Sequence, residues 1–337
     1  MHSKTKTSIG LVAVNCYVPE CVRFGCQEIV RSAAKYGWDG VRFDDHFTLE
    51  SVFDGGLLFD GRAYENGEDF ETLSTRNNRW TREITRAYNP NFLLGFNYAG
   101  VYAERGIRHP EAYAETARDG GFLMLEWSSW WPDSLKTWGK VATVLARENH
   151  RVHALGGVAG MCHMGSKNPS RDQVGRWESA INYASQGHYY NVADTPAVVR
   201  HTLFMLRYGG VLYDANTQLV PEAGKLFNIS TDAKLLWKTF VYERSLGPTR
   251  RQVIASLINI DPAGAIDDVK LPRPPAKDVR LTFTPPPGWK VAKAWLLNPD
   301  ARPNCAEVGL AVAEGKAQVA LPTFECWNLL VLELASD

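Results

Sequence analysis

Two carboxylates stand at the ends of strand-like runs. Asp44 closes "GVRFD" (40–44), and Glu126 follows the apolar stretch Phe122–Leu125 and precedes Trp127. Alternation along a strand puts Arg42 on the side of Asp44. An arginine beside a carboxylate favours its ionised form, which a nucleophile needs. Glu126 has apolar sequence neighbours, and desolvation raises a carboxyl pKa, which a general acid needs. If both strands open on one mouth, the two groups form the pair that cleaves glycosidic bonds. Taken singly, each has a plainer reading. Asp44 and Arg42 could be a buried ion pair, and Glu126 could cap the helix that "SSWWPDS" would begin.

Other polar residues gather at the same strand ends. "FLLGFN" (92–97) ends in Asn97, placed to bond a substrate hydroxyl. Trp127, with Trp130 and Trp131, could form a stacking platform or could simply be core. Asp45 and His46 would line the mouth or cap its loop. His163 follows the run 153–159, and His188 lies in "HYYNVA" (188–193); both are candidates for binding ligand hydroxyls. His153, read inside a strand, is expected to be a core histidine.

These positions need elements to hold them. Over the first 240 or so residues, strand-like and helix-like segments alternate. Strands are expected at 8–14, 40–44, 92–97, 121–127, 153–159 and 188–193. Helices are expected at 19–36, 70–87, 109–119, 133–149, 170–185 and 195–208, with Gly37 as a stop signal. Near-continuous apolar strands between helices imply a parallel sheet covered by helices. The fold class is therefore α/β, a (β/α)8 TIM-type barrel over 1–245, whose functional residues would sit at the strands' C-terminal ends. Six strands are countable and a closed barrel needs eight. The barrel is thus incomplete, starting near its third strand, or hides two strands in loops. A doubly wound sheet is disfavoured because no G-x-G-x-x-G or Walker sequence follows a strand. After "ERSLGPTRR" (243–251), short strands separated by Pro/Gly/Asn turns imply a C-terminal antiparallel β-sandwich over 246–337.

Composition narrows the function classes. Lys+Arg and Asp+Glu are both 37 in 337 residues, and no basic run occurs, so no nucleic-acid partner is expected. No apolar run approaches the ~20 residues of a membrane span. No signal peptide is read at the N-terminus, which implies a cytoplasmic protein if that terminus is authentic. The six cysteines have neither zinc nor redox spacing and are expected to be free thiols. No H-E-x-x-H set and no G-x-S-x-G elbow occurs, so neither a metal nor a cofactor is expected, and a serine hydrolase is disfavoured.

The stretch "NCYVPECVRFGCQEIVRSAAKYGWDGVRFDDHF" resembles the fourth-strand region of retaining (β/α)8-barrel glycoside hydrolases. In the alpha-amylase superfamily a Gly-x-Arg-x-Asp pattern carries the nucleophile, and here it matches Gly40, Arg42 and Asp44. The acid departs from that superfamily, because the next strand carries Asn97 and the carboxylate comes one strand later, as Glu126. That order is similar to the dextranase-like and alpha-galactosidase-type families. The resemblance implies a retaining glycosidase acting on an oligo- or polysaccharide, an α-glucan or α-galactoside, with Asp44 as nucleophile and Glu126 as acid/base. Its motif covers about 15 residues. The rivals are a catalytically degenerate saccharide-binding protein and a lyase or aldolase; the latter wants a strand-end lysine, which is not found.

Overall fold

A computed structural model of the chain describes residues 19–43, 70–99, 102–103, 106–107, 110–127, 135–163, 170–191, 195–266 and 273–336. In chain order the first elements are α1 (Pro19–Tyr36), β1 (Gly40–Phe43), α2 (Phe70–Tyr88), β2 (Leu93–Ala99), β3 (Tyr102–Ala103), β4 (Gly106–Ile107), α3 (Pro110–Ala117) and β5 (Phe122–Trp127). Then come α4 (Trp138–Ala154), β6 (Val158–His163), α5 (Ser170–Ala184), β7 (His188–Asn191), α6 (Pro196–Tyr208), α7 (Gly210–Tyr213), β8 (Thr217–Leu219), α8 (Ala223–Leu226) and β9 (Phe227–Ser230). The last are β10 (Val241–Ser245), β11 (Arg250–Ile258), β12 (Arg280–Phe283), β13 (Trp289–Leu297), β14 (Cys305–Glu307), β15 (Leu310–Ala313), β16 (Lys316–Ala320) and β17 (Trp327–Ser336). A five-stranded sheet has the order β1-β2-β5-β6-β7. The chain divides into two compact units, Met1–Ser128 with Arg151–Gly160, and Ser129–His150 with Met161–Asp337.

In the first unit, α1 begins at Pro19 with Glu20 in its first turn and ends with Lys35, charges that suit the helix dipole. Gly37, with φ +72°, receives the chain at the C-terminus, where its N–H donates to the Ala33 carbonyl at 2.8 Å. The inner face of α2 is polar rather than apolar: Asn77, Asn78, Thr81 and Thr85 are all buried. The threonines donate back along the helix, Thr81 to the Asn77 carbonyl and Thr85 to the Thr81 carbonyl. Asn78 donates to the Ala112 carbonyl of α3 at 3.2 Å, and Arg82 bonds both the carbonyl and the buried carboxylate of Glu115. Hydrogen bonds thus dock α2 on α3 where a hydrophobic stripe would be expected.

Two glycines set the approach of α3 to the strands after it. A Cβ on Gly121 would lie 1.9 Å from the Thr116 carbonyl oxygen, and one on Gly157 would lie 2.0 Å from that of Ala117. Only glycine lets the two backbones come so close.

The second unit contains two antiparallel sheets, a six-stranded one of order β14-β13-β17-β11-β10-β8 and a four-stranded one of order β15-β16-β12-β9. Within these two sheets the first strand in chain order is β8, which starts at Thr217. β8 and β9, three and four residues long, are too short to carry a pattern of their own. One face of the larger sheet supplies Val253, Ala255, Leu257, Leu330, Leu332 and Leu334 to a core shared with Leu281, Phe283 and Val319 of the smaller. Its other face is buried too: Ile254, Ile258, Trp327 and Val331 are at most 2% exposed. Trp327 stacks on Tyr183 of α5 at 6.4 Å and meets Phe204 of α6 edge-on at 5.4 Å. Double burial explains why β11 and β17 read as continuous apolar runs rather than as alternation.

His201 sits in that second interface, fully buried, 5.6 Å from the Trp327 ring and with Nδ1 2.8 Å from Ser179 Oγ. Desolvation, with the Arg176 and Arg200 charges and against that of Asp300, lowers its pKa from the usual 6.5 to about 4. The unfolded chain then binds the proton more readily, so stability from this group is held above pH 6.5 and lost as pH falls toward 4. At about 1.4 kcal/mol per tenfold change in proton affinity, the loss is about 3 kcal/mol. Urea unfolding at pH 7 and pH 4 should show that His201→Phe removes about this much of the wild-type acid sensitivity. Equal pH dependence in the two proteins would contradict the assignment.

Candidate functional site

β1 and β2 run parallel, with Arg42 opposite Gly95 and Phe43 opposite Phe96. β2 and β5 run parallel, with Gly95 opposite Phe122, Asn97 opposite Met124 and Ala99 opposite Glu126. Arg42, Gly95 and Phe122 thus form one row across three strands. Two residues on, Asn97 and Met124 form the next row with the same facing, and two further on comes position 126. The sheet therefore has an apolar face built on Val41, Phe43, Leu94, Phe96 and Leu123, and a mixed face that includes Arg42, Asn97 and position 126. The Phe43 and Phe96 rings stack at 4.8 Å on the apolar face. Position 126 is about 7 Å along the strands from Asn97 and one strand spacing, about 4.8 Å, across.

Of the residues singled out by sequence, Arg42 is exposed on β1 and Asn97 is 1% exposed on β2. Gly95 is the residue that makes room beside Arg42. A Cβ there would lie 3.5 Å from Phe122 Cδ1 and 3.6 Å from Arg42 Cβ, at ordinary contact. Glu126 and Trp127 are the last two residues of β5, and His163 is the last of β6, inside the strand rather than after it. The structure describes the backbone of these three and not their side chains. Asp44, Asp45 and His46 lie outside the described residues.

His188 opens its strand, as the expected strand 188–193 had it, and His153 stands elsewhere than expected. His188 is the first residue of β7, not near its C-terminal end, which is Asn191. In a barrel that is the end opposite the mouth. Its ring stacks on Tyr213 at 4.8 Å and meets Tyr183 edge-on at 6.5 Å, and desolvation lowers its pKa. His153 lies in the last turn of α4, not in a strand, and is half-buried with its pKa lowered by desolvation. The helix runs five residues later than expected because Leu155, Gly156 and Gly157 form the turn before β6. Gly156 takes φ +75°.

Sequence reasoning missed Glu178 and Tyr189. Both are buried, and the Tyr189 hydroxyl donates to Glu178 Oε2 at 2.8 Å, fastening β7 to α5. The signal was slight: in "WESAIN", Glu178 and Asn182 fall four apart, on one face of α5. Among the described residues, no helix is long and apolar enough to cross a membrane. Also among them, no group of three His, Cys, Asp or Glu side chains is placed to hold a metal ion.

No family model matches this chain, and no curated protein matches it in sequence. Among solved structures, a cycloisomaltooligosaccharide glucanotransferase from a Paenibacillus species, complexed with cycloisomaltoheptaose, aligns with a TM-score of 0.66 at 10% identity. The alignment covers 94% of this chain and 66% of that one, so the chain spans about two thirds of its length. An alpha-amylase from Geobacillus thermoleovorans aligns at 0.45 and 10% identity, over 94% of this chain and 64% of that one. An alpha-L-fucosidase from Paenibacillus thiaminolyticus aligns at 0.43 and 10% identity, over 99% and 82%. The first likeness shows the fold alone: this chain shares that of the glucanotransferase, with a parallel sheet followed by antiparallel sheets. Among the described residues its parallel sheet has five strands.

The register has a direct test at Gly95. Gly95→Ala should change unfolding free energy by less than about 1 kcal/mol, because its Cβ meets only ordinary contacts. Gly95→Leu needs space held by Arg42 and Phe122, and should cost about 1–3 kcal/mol. A leucine variant as stable as wild type in urea unfolding would contradict the row assigned to these residues.

Proposed function

We propose that this chain is a retaining glycosidase acting on an oligo- or polysaccharide, with Asp44 as nucleophile and Glu126 as acid/base. The observation that carries the reading is the register, which puts Arg42, Asn97 and position 126 on one face of a parallel sheet, with 126 near its strand's C-terminal end. The likeness in fold to a glucanotransferase complexed with a cyclic oligosaccharide supports the substrate class.

The chemistry needs two steps. An Asp44 carboxylate oxygen attacks the anomeric carbon as the glycosidic C–O bond breaks, and the Glu126 carboxyl gives its proton to the leaving oxygen. The products are a glycosyl ester on Asp44 and a Glu126 carboxylate. That carboxylate then takes a proton from water as the water oxygen attacks the same carbon, which frees Asp44 and restores the configuration. Arg42, two residues before the nucleophile, favours the charged form of Asp44 that the first step consumes. Asn97 would bond a substrate hydroxyl, and Asp45, His46 and His163 would line the mouth, whereas position 127, one step from 126 in β5, alternates to the apolar face.

The test is turnover of a panel of 4-nitrophenyl glycosides and oligosaccharides, with the product anomer followed by proton NMR. Glu126→Gln should lower kcat by about 10²–10⁴-fold on poor leaving groups. Asp44→Asn should lose turnover, and azide added to Asp44→Gly should return it with the glycosyl azide of opposite configuration. Variants that turn over like wild type would overturn the assignment. Saccharide binding without turnover across the panel would favour a catalytically degenerate binding protein.

The placement of His188 gives a second outcome. His188→Ala should leave kcat/KM within about threefold of wild type, whereas Asn97→Ala should lower it at least tenfold. The reverse order would return His188 to the mouth.

A further inference from the structure

A cavity of about 520 Å3 lies in the second unit, between the start of α4, the segment Ile229–Thr239 and the turn at Pro262. The volume falls within the range of about 300–1,000 Å3 that small-molecule sites occupy. Its lining is chemically one-sided. Trp237 and Leu235 give an apolar wall, with the Trp237 ring half-buried and edge-on to Phe227 at 6.4 Å. Lys234 and Lys238 are exposed at the lining, and no carboxylate is among the described residues that form it. Among the described residues neither lysine is ion-paired. The Thr239 hydroxyl oxygen is buried and has no hydrogen-bond partner there, although buried hydroxyls almost always have one.

Thr143 and Thr231 give their hydroxyl protons to the Gly139 and Lys277 carbonyls, so the donors left to a ligand are the two ammonium groups and the Thr239 hydroxyl, and the ligand must bring acceptors for them. Charged acceptors gain most, because hydrogen bonds between ammonium and carboxylate are about twice as strong as neutral ones. The ligand must also present an apolar face to an indole, as the C–H face of a sugar ring does. We infer that this cavity is a second binding site, for an acidic saccharide whose ring lies on Trp237 and whose carboxylate meets Lys234 and Lys238. The saccharide part rests on the proposed function; the anionic part rests on the lining alone.

Isothermal titration of the full chain with a galacturonate trisaccharide and with maltotriose tests it. The expected result is binding of the uronate, weakened by added salt as an exposed charge contact requires, with maltotriose at least tenfold weaker. Lys234→Ala/Lys238→Ala changes only exposed side chains and should weaken uronate binding at least tenfold. Thr239→Val should weaken it several-fold while the unfolding midpoint holds. Asp44→Asn should leave uronate binding unchanged, so failure of the catalytic reading and failure of this site are told apart. Equal binding of both trisaccharides, no binding of either, or a double lysine variant that binds like wild type would overturn the proposal.

Discussion

The candidate site depends on one constraint: parallel strands held in step keep their side chains in step. With Arg42 opposite Gly95 and Asn97 opposite Met124, every second residue of three strands falls on the same face. A slip of one residue between β1 and β2 would send Arg42 to the apolar face and Phe43 to the mixed one. Phe43 stacked on Phe96, in a row with fully buried Leu123, opposes that slip. The apolar face fixes the register, and the register decides which polar residues share the other face. The charge of Arg42 is positioned by hydrophobic packing on the side of the sheet it does not occupy.

The same logic of close approach holds the helices. Gly121 and Gly157 stand just before β5 and β6, and each leaves room for a carbonyl near the end of α3. The segment before each strand is then set by backbone contact, with the Val158 N–H donating to the Gly121 carbonyl at 2.9 Å. The polar face of α2 belongs to this arrangement. Buried amides and hydroxyls must find partners, and those partners are directional. An apolar interface would tolerate sliding; one built on Asn78 to the Ala112 carbonyl and Arg82 to Glu115 does not.

Legibility in the sequence followed the strength of local signals. α1 was readable to the residue, since Pro19, Glu20, Lys35 and Gly37 mark both its ends. α4 was not, because Val152 and Leu155 beside "GGVA" imitate a strand until Gly156 is known to be a turn. β11 and β17 lie in the region read as short strands, but their double burial removes the alternation that would show which face is which. Three-residue β8 shows no period at all. At the candidate site, the polarity change after "FLLGF" pointed to Asn97, which is buried on the face of Arg42. His188 opens β7 as it opens the expected strand, at the end away from Asn191. Glu178 and Tyr189, eleven residues apart, meet only through tertiary structure.

The second-unit cavity shows why a site can lack any motif. Its wall between Ile229 and Thr239 is shaped by main-chain bonds. Leu236 and Ile258 exchange both of theirs, at 2.9 and 3.0 Å, and the Gly139 N–H donates to the Pro262 carbonyl at 2.8 Å. None of these bonds depends on side-chain type, so no residue pattern announces them. Yet they shape the segment that carries Trp237, Lys238 and Thr239, and a wall set by main-chain bonds spares the ordering cost that weakens binding. Backbone geometry sets the shape of this cavity, and the few side chains that differ from a plain turn set its charge. The strand-end site is arranged the other way, with packing setting the frame and alternation choosing the chemistry.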